Sequence, residues 1–123
     1  MSNKETRLAH IIDTALAAKE PRLRADARQF VASIDPPRGL RLLDATLADV
    51  HSATLEKQQA LSALAAMNSP DAEERLVSWM EKLVAGTVEP ELHLDVLEAA
   101  LGRSSPRMQP LLDKFSTAAT AAT

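Results

Sequence analysis

The stretch PRLRADARQFVASI, Pro21 to Ile34, comes back twice in altered form: as TLEKQQALSALAAM, Thr54 to Met67, and as PELHLDVLEAALG, Pro90 to Gly102. Arg24, Lys57 and His93 hold matching places, 33 and then 36 residues apart. Ala27, Ala60 and Val96 each follow three residues later. A helical period of about 30–45 residues is the mark of stacked helix pairs, each too small to bury its apolar face alone. The chain therefore reads as all-α, a right-handed α-solenoid of antiparallel helix pairs with about seven helices.

Working outward from these three stretches, proline marks most of the helix boundaries. The first helix is expected over about 5–19, with Leu8, Ile11, Ile12, Ala15 and Leu16 as one stripe at helical spacing. Pro21 opens the second at its first position, where a missing N–H costs nothing. Its apolar face is Leu23, Ala27, Phe30, Val31 and Ile34, and Asp35-Pro36-Pro37 stops it. A third helix follows from about Arg38 to His51, with Leu40, Leu43, Leu47 and Val50 turned inward and Gly39 weakening its first turn. The fourth starts near a Thr54 cap and carries Leu61, Leu64 and Met67.

Ser69-Pro70-Asp71 is the clearest helix start in the chain: a capping serine, a first-position proline and acids that complement the helix dipole. That fifth helix runs to Ala85, ahead of Gly86. The sixth covers Pro90 to Leu101. The seventh opens at Ser105–Pro106 or later, at Pro110, and the Ser116–Thr123 tail has little to bury. A single repeat domain over 1–123 results, with pairs at about 5–34, 37–68 and 70–102 and a terminal helix at about 106–119.

Composition narrows the function classes. The 123 residues suffice for one continuous core. Apolar residues make up 46% but aromatics only 2%, which suits close packing of Leu and Ala and not base stacking. The net charge of −3 lacks the basic footprint of a nucleic-acid binder. Charge is uneven: residues 1–50 carry +1, residues 51–101 carry −6 and residues 102–123 carry +2. A solvated acidic surface accounts for the middle segment, and a basic partner docking on the third repeat is the alternative. With no cysteine, disulfides, thiolate zinc sites and cysteine nucleophiles are excluded. The N-terminal stretch is amphipathic and interrupted by Asp13, unlike a signal peptide, and nothing is long enough to span a membrane.

Leu23-Arg24 with Ala27 and the apolar run after it resembles the second helix of a HEAT-type repeat. An Asp commonly precedes the Val-Arg pair in that family. Here the nearest acid is Glu20, and Lys57 and His93 stand where Arg is usual. The resemblance implies a structural role for the matching basic residue, bonding between neighbouring repeats. A narrower resemblance covers Leu76 to Ala100, through Trp79, Leu83, Ala85-Gly86, Val88, Pro90-Glu91, Leu94-Asp95-Val96-Leu97 and Glu98-Ala99-Ala100. It is similar to the last HEAT repeat of bacterial, planctomycete-type haem-binding, membrane-bound-dehydrogenase-type proteins. That would make the chain a spacer beside a propeller and a c-type cytochrome domain. No Cys-x-x-Cys-His is present, so the chain cannot attach haem itself.

Catalytic patterns are missing. His10, His51 and His93 have no metal-ligand spacing between them. The pairs Glu73–Glu74, Glu89–Glu91 and Asp95–Glu98 fit helix starts or an exposed ridge better than acid–base chemistry. The serines, among them Ser33, Ser52, Ser69 and Ser104, sit in no nucleophile elbow, and Gly39, Gly86 and Gly102 are isolated, not a phosphate loop.

The expected function is non-enzymatic, a helical-repeat scaffold or interdomain spacer acting through protein–protein interaction. The alternative is the HEAT segment of a secreted haem c-dependent dehydrogenase-type protein. No catalytic residue, metal or cofactor is expected. Arg24, Arg28, Lys57 and His93 are the candidates for binding on a concave face. Expected partners are a protein or neighbouring domain, with weak self-association through terminal helices, and neither nucleic acid nor membrane insertion. A complete chain would be cytoplasmic; a fragment of the haem-protein family would be periplasmic or secreted.

Overall fold

A computed structural model describes residues 4–103 and 105–122, so the stretch Met1 to Asn3, Ser104 and Thr123 lie outside the described residues. Among the described residues the regular structure is all helical. Seven α-helices follow in order: α1 Lys4–Leu16, α2 Pro21–Ile34, α3 Pro36–Ala48, α4 Thr54–Ala66, α5 Pro70–Ala85, α6 His93–Leu101 and α7 Met108–Ala122. A short 3-10 turn, Pro90–Leu92, precedes α6. The chain divides into two compact units, Met1–Ala60 and Leu61–Thr123, with the boundary inside α4. No helix among the described residues is long and apolar enough to cross a membrane.

In the first unit α2 packs against both α1 and α3. Asp35 ends one helix and starts the next. Its N–H donates to the Val31 carbonyl at 2.7 Å, and its carboxylate accepts from the Arg38 N–H at 3.4 Å. Pro36 and Pro37 then occupy first-turn positions that need no N–H, so α3 opens two residues ahead of the expected Arg38. Gly39 is a requirement of packing here. A Cβ on it would lie 2.3 Å from the Ala32 Cα, so α2 and α3 cross too closely for any side chain. Ile12, Ala25, Ala27, Val31, Ala32, Leu40, Leu43 and Leu47 are buried.

Helix α3 stops at Ala48, three residues short of His51. Asp49 leaves helical geometry, and its carboxylate accepts the His51 N–H at 2.9 Å, the short turn that aspartate favours. Val50 is thereby carried into the turn and stands 82% exposed, not inward as its spacing suggests.

In the second unit α5 packs against α6 and α7, and α6 also touches α7. Ser69 caps α5, its hydroxyl accepting from the Ala72 N–H at 3.2 Å, with Pro70 next. Gly86 ends the helix at φ +78°, the left-handed conformation that a side chain disfavours, and Thr87 N–H returns to the Lys82 carbonyl at 3.0 Å. Leu61, Leu64, Leu76, Val77, Met80, Leu83, Leu92, Val96 and Met108 are buried. Pro90 opens a 3-10 turn, so the α-helix proper starts at His93. Helix α7 starts at Met108, between the two expected places, and Pro110 falls within its first turn.

Candidate functional site

Two of the four sequence-derived candidates, Arg24 and Arg28, converge on one carboxylate. They stand four residues apart on one face of α2, and both reach Glu56 in the first turn of α4. Arg24 grips it two-toothed, Nε to Oε2 at 3.1 Å and Nη2 to Oε1 at 2.7 Å. Arg28 Nη2 lies 2.6 Å from Oε2. Arg24 Nη1 also donates to the carbonyls of Ala18 at 2.6 Å and Lys19 at 3.0 Å, tying down the link between α1 and α2. Glu56 accepts in addition from the Ala53 N–H at 3.4 Å, the backward half of a capping box.

Glu56 is 2% exposed, yet the Arg24 guanidinium, with Arg28 assisting, holds its carboxyl down at about 2 against the desolvation that would raise it. The carboxylate in turn raises Arg24 above its ordinary value. A group kept ionised in this way neither gives nor takes a proton near neutrality. It works as an anchor that occupies the Arg24 guanidinium, whereas Arg28 keeps a buried Nη1 with no hydrogen-bond partner among the described residues.

The other two candidates also point inward. Lys57 is buried on α4 beside Glu56. His93 begins α6, and its Nε2 lies 2.9 Å from the Val88 carbonyl in the preceding link. In the second unit Arg103 does for the end of α4 what Arg24 does for its start. Its Nη2 donates to the carbonyls of Leu64 and Met67, and its Nε stands 3.7 Å from Glu73. Arg107 pairs with Glu74, which raises the guanidinium above its ordinary value.

Sequence reasoning missed Glu56 and Arg103. Glu56 sits at the third helical position, but Ala53 precedes the helix where serine or threonine would complete the capping pattern, so half of the signal is lacking. Arg103 follows the terminating Gly102, a place that carries no pattern of its own. Among the described residues no group of three or more His, Asp or Glu side chains comes together as a metal site.

The first unit also presents an apolar surface. Leu8 and Ile11 on α1, and Leu23, Phe30 and Ile34 on α2, are all exposed; Ile11 is the most open, at 62%. The sequence places all five on the apolar faces of their helices. Beside Ile11 lies a shallow hollow lined by Thr6, Arg7, His10 and Ile11 itself. A smaller groove is lined by Leu16, Arg28, Leu42, Ala45, Thr46, Asp49 and Ser52. Compared with protein-family models, curated proteins and solved structures, the chain matches none.

Proposed function

We propose that this chain is a non-enzymatic helical interaction module whose partner is a protein, engaged through the exposed apolar side chains of α1 and α2. The observation that carries this reading is the combination of Leu8, Ile11, Leu23, Phe30 and Ile34 standing open on two packed helices. Solitary exposed apolar residues need no explanation, whereas five on one helix pair reach the size of a recognition patch. The internal ties of Arg24 and Glu56 support the same reading, because they leave that pair to structure and the apolar face to contact. The 33- and 36-residue spacing of Arg24, Lys57 and His93 supports a HEAT-like α-solenoid as the architecture.

The test is site-specific photo-crosslinking in the native cell, with the probe at Ile11. The reading expects a discrete protein adduct from Ile11 and none from a probe at exposed Glu81 on α5. Failure to form any adduct at Ile11, or equal yield at both positions, would count against it.

A further inference from the structure

We infer that the groove beside Arg28 is a binding site for a small α-amino acid with an aliphatic side chain. Its lining lies wholly in the first unit, and none of the five exposed apolar side chains of α1 and α2 belongs to it. Arg24 and Arg28 share the single Glu56 carboxylate, which cannot cancel both charges. Arg28 spends Nη2 on Glu56 at 2.6 Å, while its Nη1 is closed off from water and has no hydrogen-bond partner among the described residues. A buried guanidinium donor without an acceptor is costly, and such an orphan calls for a group that completes it. Arg28 is also a wall of the groove, so the missing acceptor can be supplied from there.

The rest of the lining specifies the ligand's other parts. Leu42 and Ala45 stand three residues apart on one face of α3, and with Leu16 at the end of α1 they supply apolar wall. Asp49 adds a carboxylate. Its Oδ1 accepts the His51 N–H at 2.9 Å, and a carboxylate has further sites for a donor. Ser52 adds a hydroxyl, which can donate and accept. The lining thus carries one positive side chain, Arg28, and one negative, Asp49. A simple anion would gain Arg28 and meet Asp49; a simple cation would gain Asp49 and meet Arg28. A zwitterion satisfies both, its carboxylate accepting from Arg28 Nη1 and its ammonium donating to Asp49 in charge-assisted bonds. An aliphatic side chain then covers Leu16, Leu42 and Ala45. The space of about 240 Å³ far exceeds the roughly 10–15 Å³ that one water needs. It falls below the roughly 300–1,000 Å³ of sites for drug-sized molecules, which limits the occupant to a small one.

The experiment is an amide NMR titration of the isotope-labelled full chain with L-leucine as the probe. Isocaproate and isoamylamine, its analogues lacking the amino group and the carboxylate, are titrated alongside. L-leucine should bind saturably with a Kd below about 1 mM and shift the amides of Ala45, Asp49 and Ser52. Both analogues should bind at least about tenfold more weakly, since each leaves one charged wall of the site unpaired. Ala45→Phe puts a ring into the groove from an exposed position and should abolish the shifts. Asp49→Asn keeps an acceptor for the His51 N–H and should reduce L-leucine to the level of isocaproate. Circular dichroism checks that each variant folds; if either does not, the comparison of L-leucine with its analogues on the wild-type chain decides. A Kd for L-leucine above about 1 mM, isocaproate or isoamylamine binding as tightly as L-leucine, or undiminished shifts in a folded Ala45→Phe chain would each overturn the inference.

Discussion

Arg24 on α2 and Glu56 on α4 share two hydrogen bonds, at 2.7 and 3.1 Å, with the carboxylate buried and the guanidinium still reaching water. Through its third nitrogen Arg24 also holds the link after α1, so one side chain joins three segments of the first unit. Removing one partner of a buried pair costs far more than the pair contributes, because the other charge is left unsatisfied. Glu56→Ala should therefore lower stability by about 2–4 kcal/mol, read from urea unfolding monitored by circular dichroism. A loss under about 0.5 kcal/mol would place the pair among ordinary surface ion pairs.

The same carboxylate sets a pH dependence. Its folded value of about 2 lies below the ordinary 4.5, so its contribution is complete above pH 4.5 and drains away as pH falls from there toward 2. The amount at stake is on the order of 2–3 kcal/mol. Urea midpoints measured from pH 6 down to pH 2.5 should fall more steeply for the wild type than for Glu56→Gln, whose curve lacks this component.

Gly39 answers to Ala32. Alanine is the better helix former by about 1 kcal/mol, so propensity alone makes Gly39→Ala stabilising. The new Cβ would sit 2.3 Å from the Ala32 Cα, and backbone must move to admit it. A net destabilisation of about 1–3 kcal/mol is expected. Adding Ala32→Gly should not restore stability, because the obstruction is main chain. Thermal unfolding of the single and double variants checks both statements.

Two helix ends in the second unit are separately testable. Ser69→Ala removes the acceptor for the Ala72 N–H and should cost about 1 kcal/mol. Arg103→Met keeps much of the apolar stem but strips the donors from the Leu64 and Met67 carbonyls at the end of α4. A loss of about 1–3 kcal/mol should follow, together with faster amide exchange around Met67. Unchanged exchange there would mean that Arg103 does not hold that end.

Most helix boundaries were legible because prolines and caps act locally. Pro21, Ser69–Pro70 and Gly86 each do what their chemistry requires whatever surrounds them. The end of α3 was misjudged because the apolar spacing continues to Val50 while Asp49 has already turned the chain. Periodicity also identified Leu8, Ile11, Leu23, Phe30 and Ile34 as apolar faces. It says only that such residues align, not whether anything covers them, so their exposure emerged only with the fold. The recurring basic position was visible in the sequence. Its bonds were not, since Glu56 lies 32 residues from Arg24 and belongs to no complete local pattern.

The most direct measurement pairs two variants. Phe30→Glu and Arg24→Ala would each be assayed for urea midpoint and for adduct yield from a photo-crosslinker at Ile11, at a low temperature where both remain folded. If recognition belongs to the α1–α2 face and Arg24 to the framework, Phe30→Glu keeps its midpoint and loses the adduct. Arg24→Ala loses stability and keeps the adduct. The opposite pattern, with the adduct surviving Phe30→Glu and vanishing in a stable Arg24→Ala chain, would contradict the assignment and return the basic residues to the binding surface.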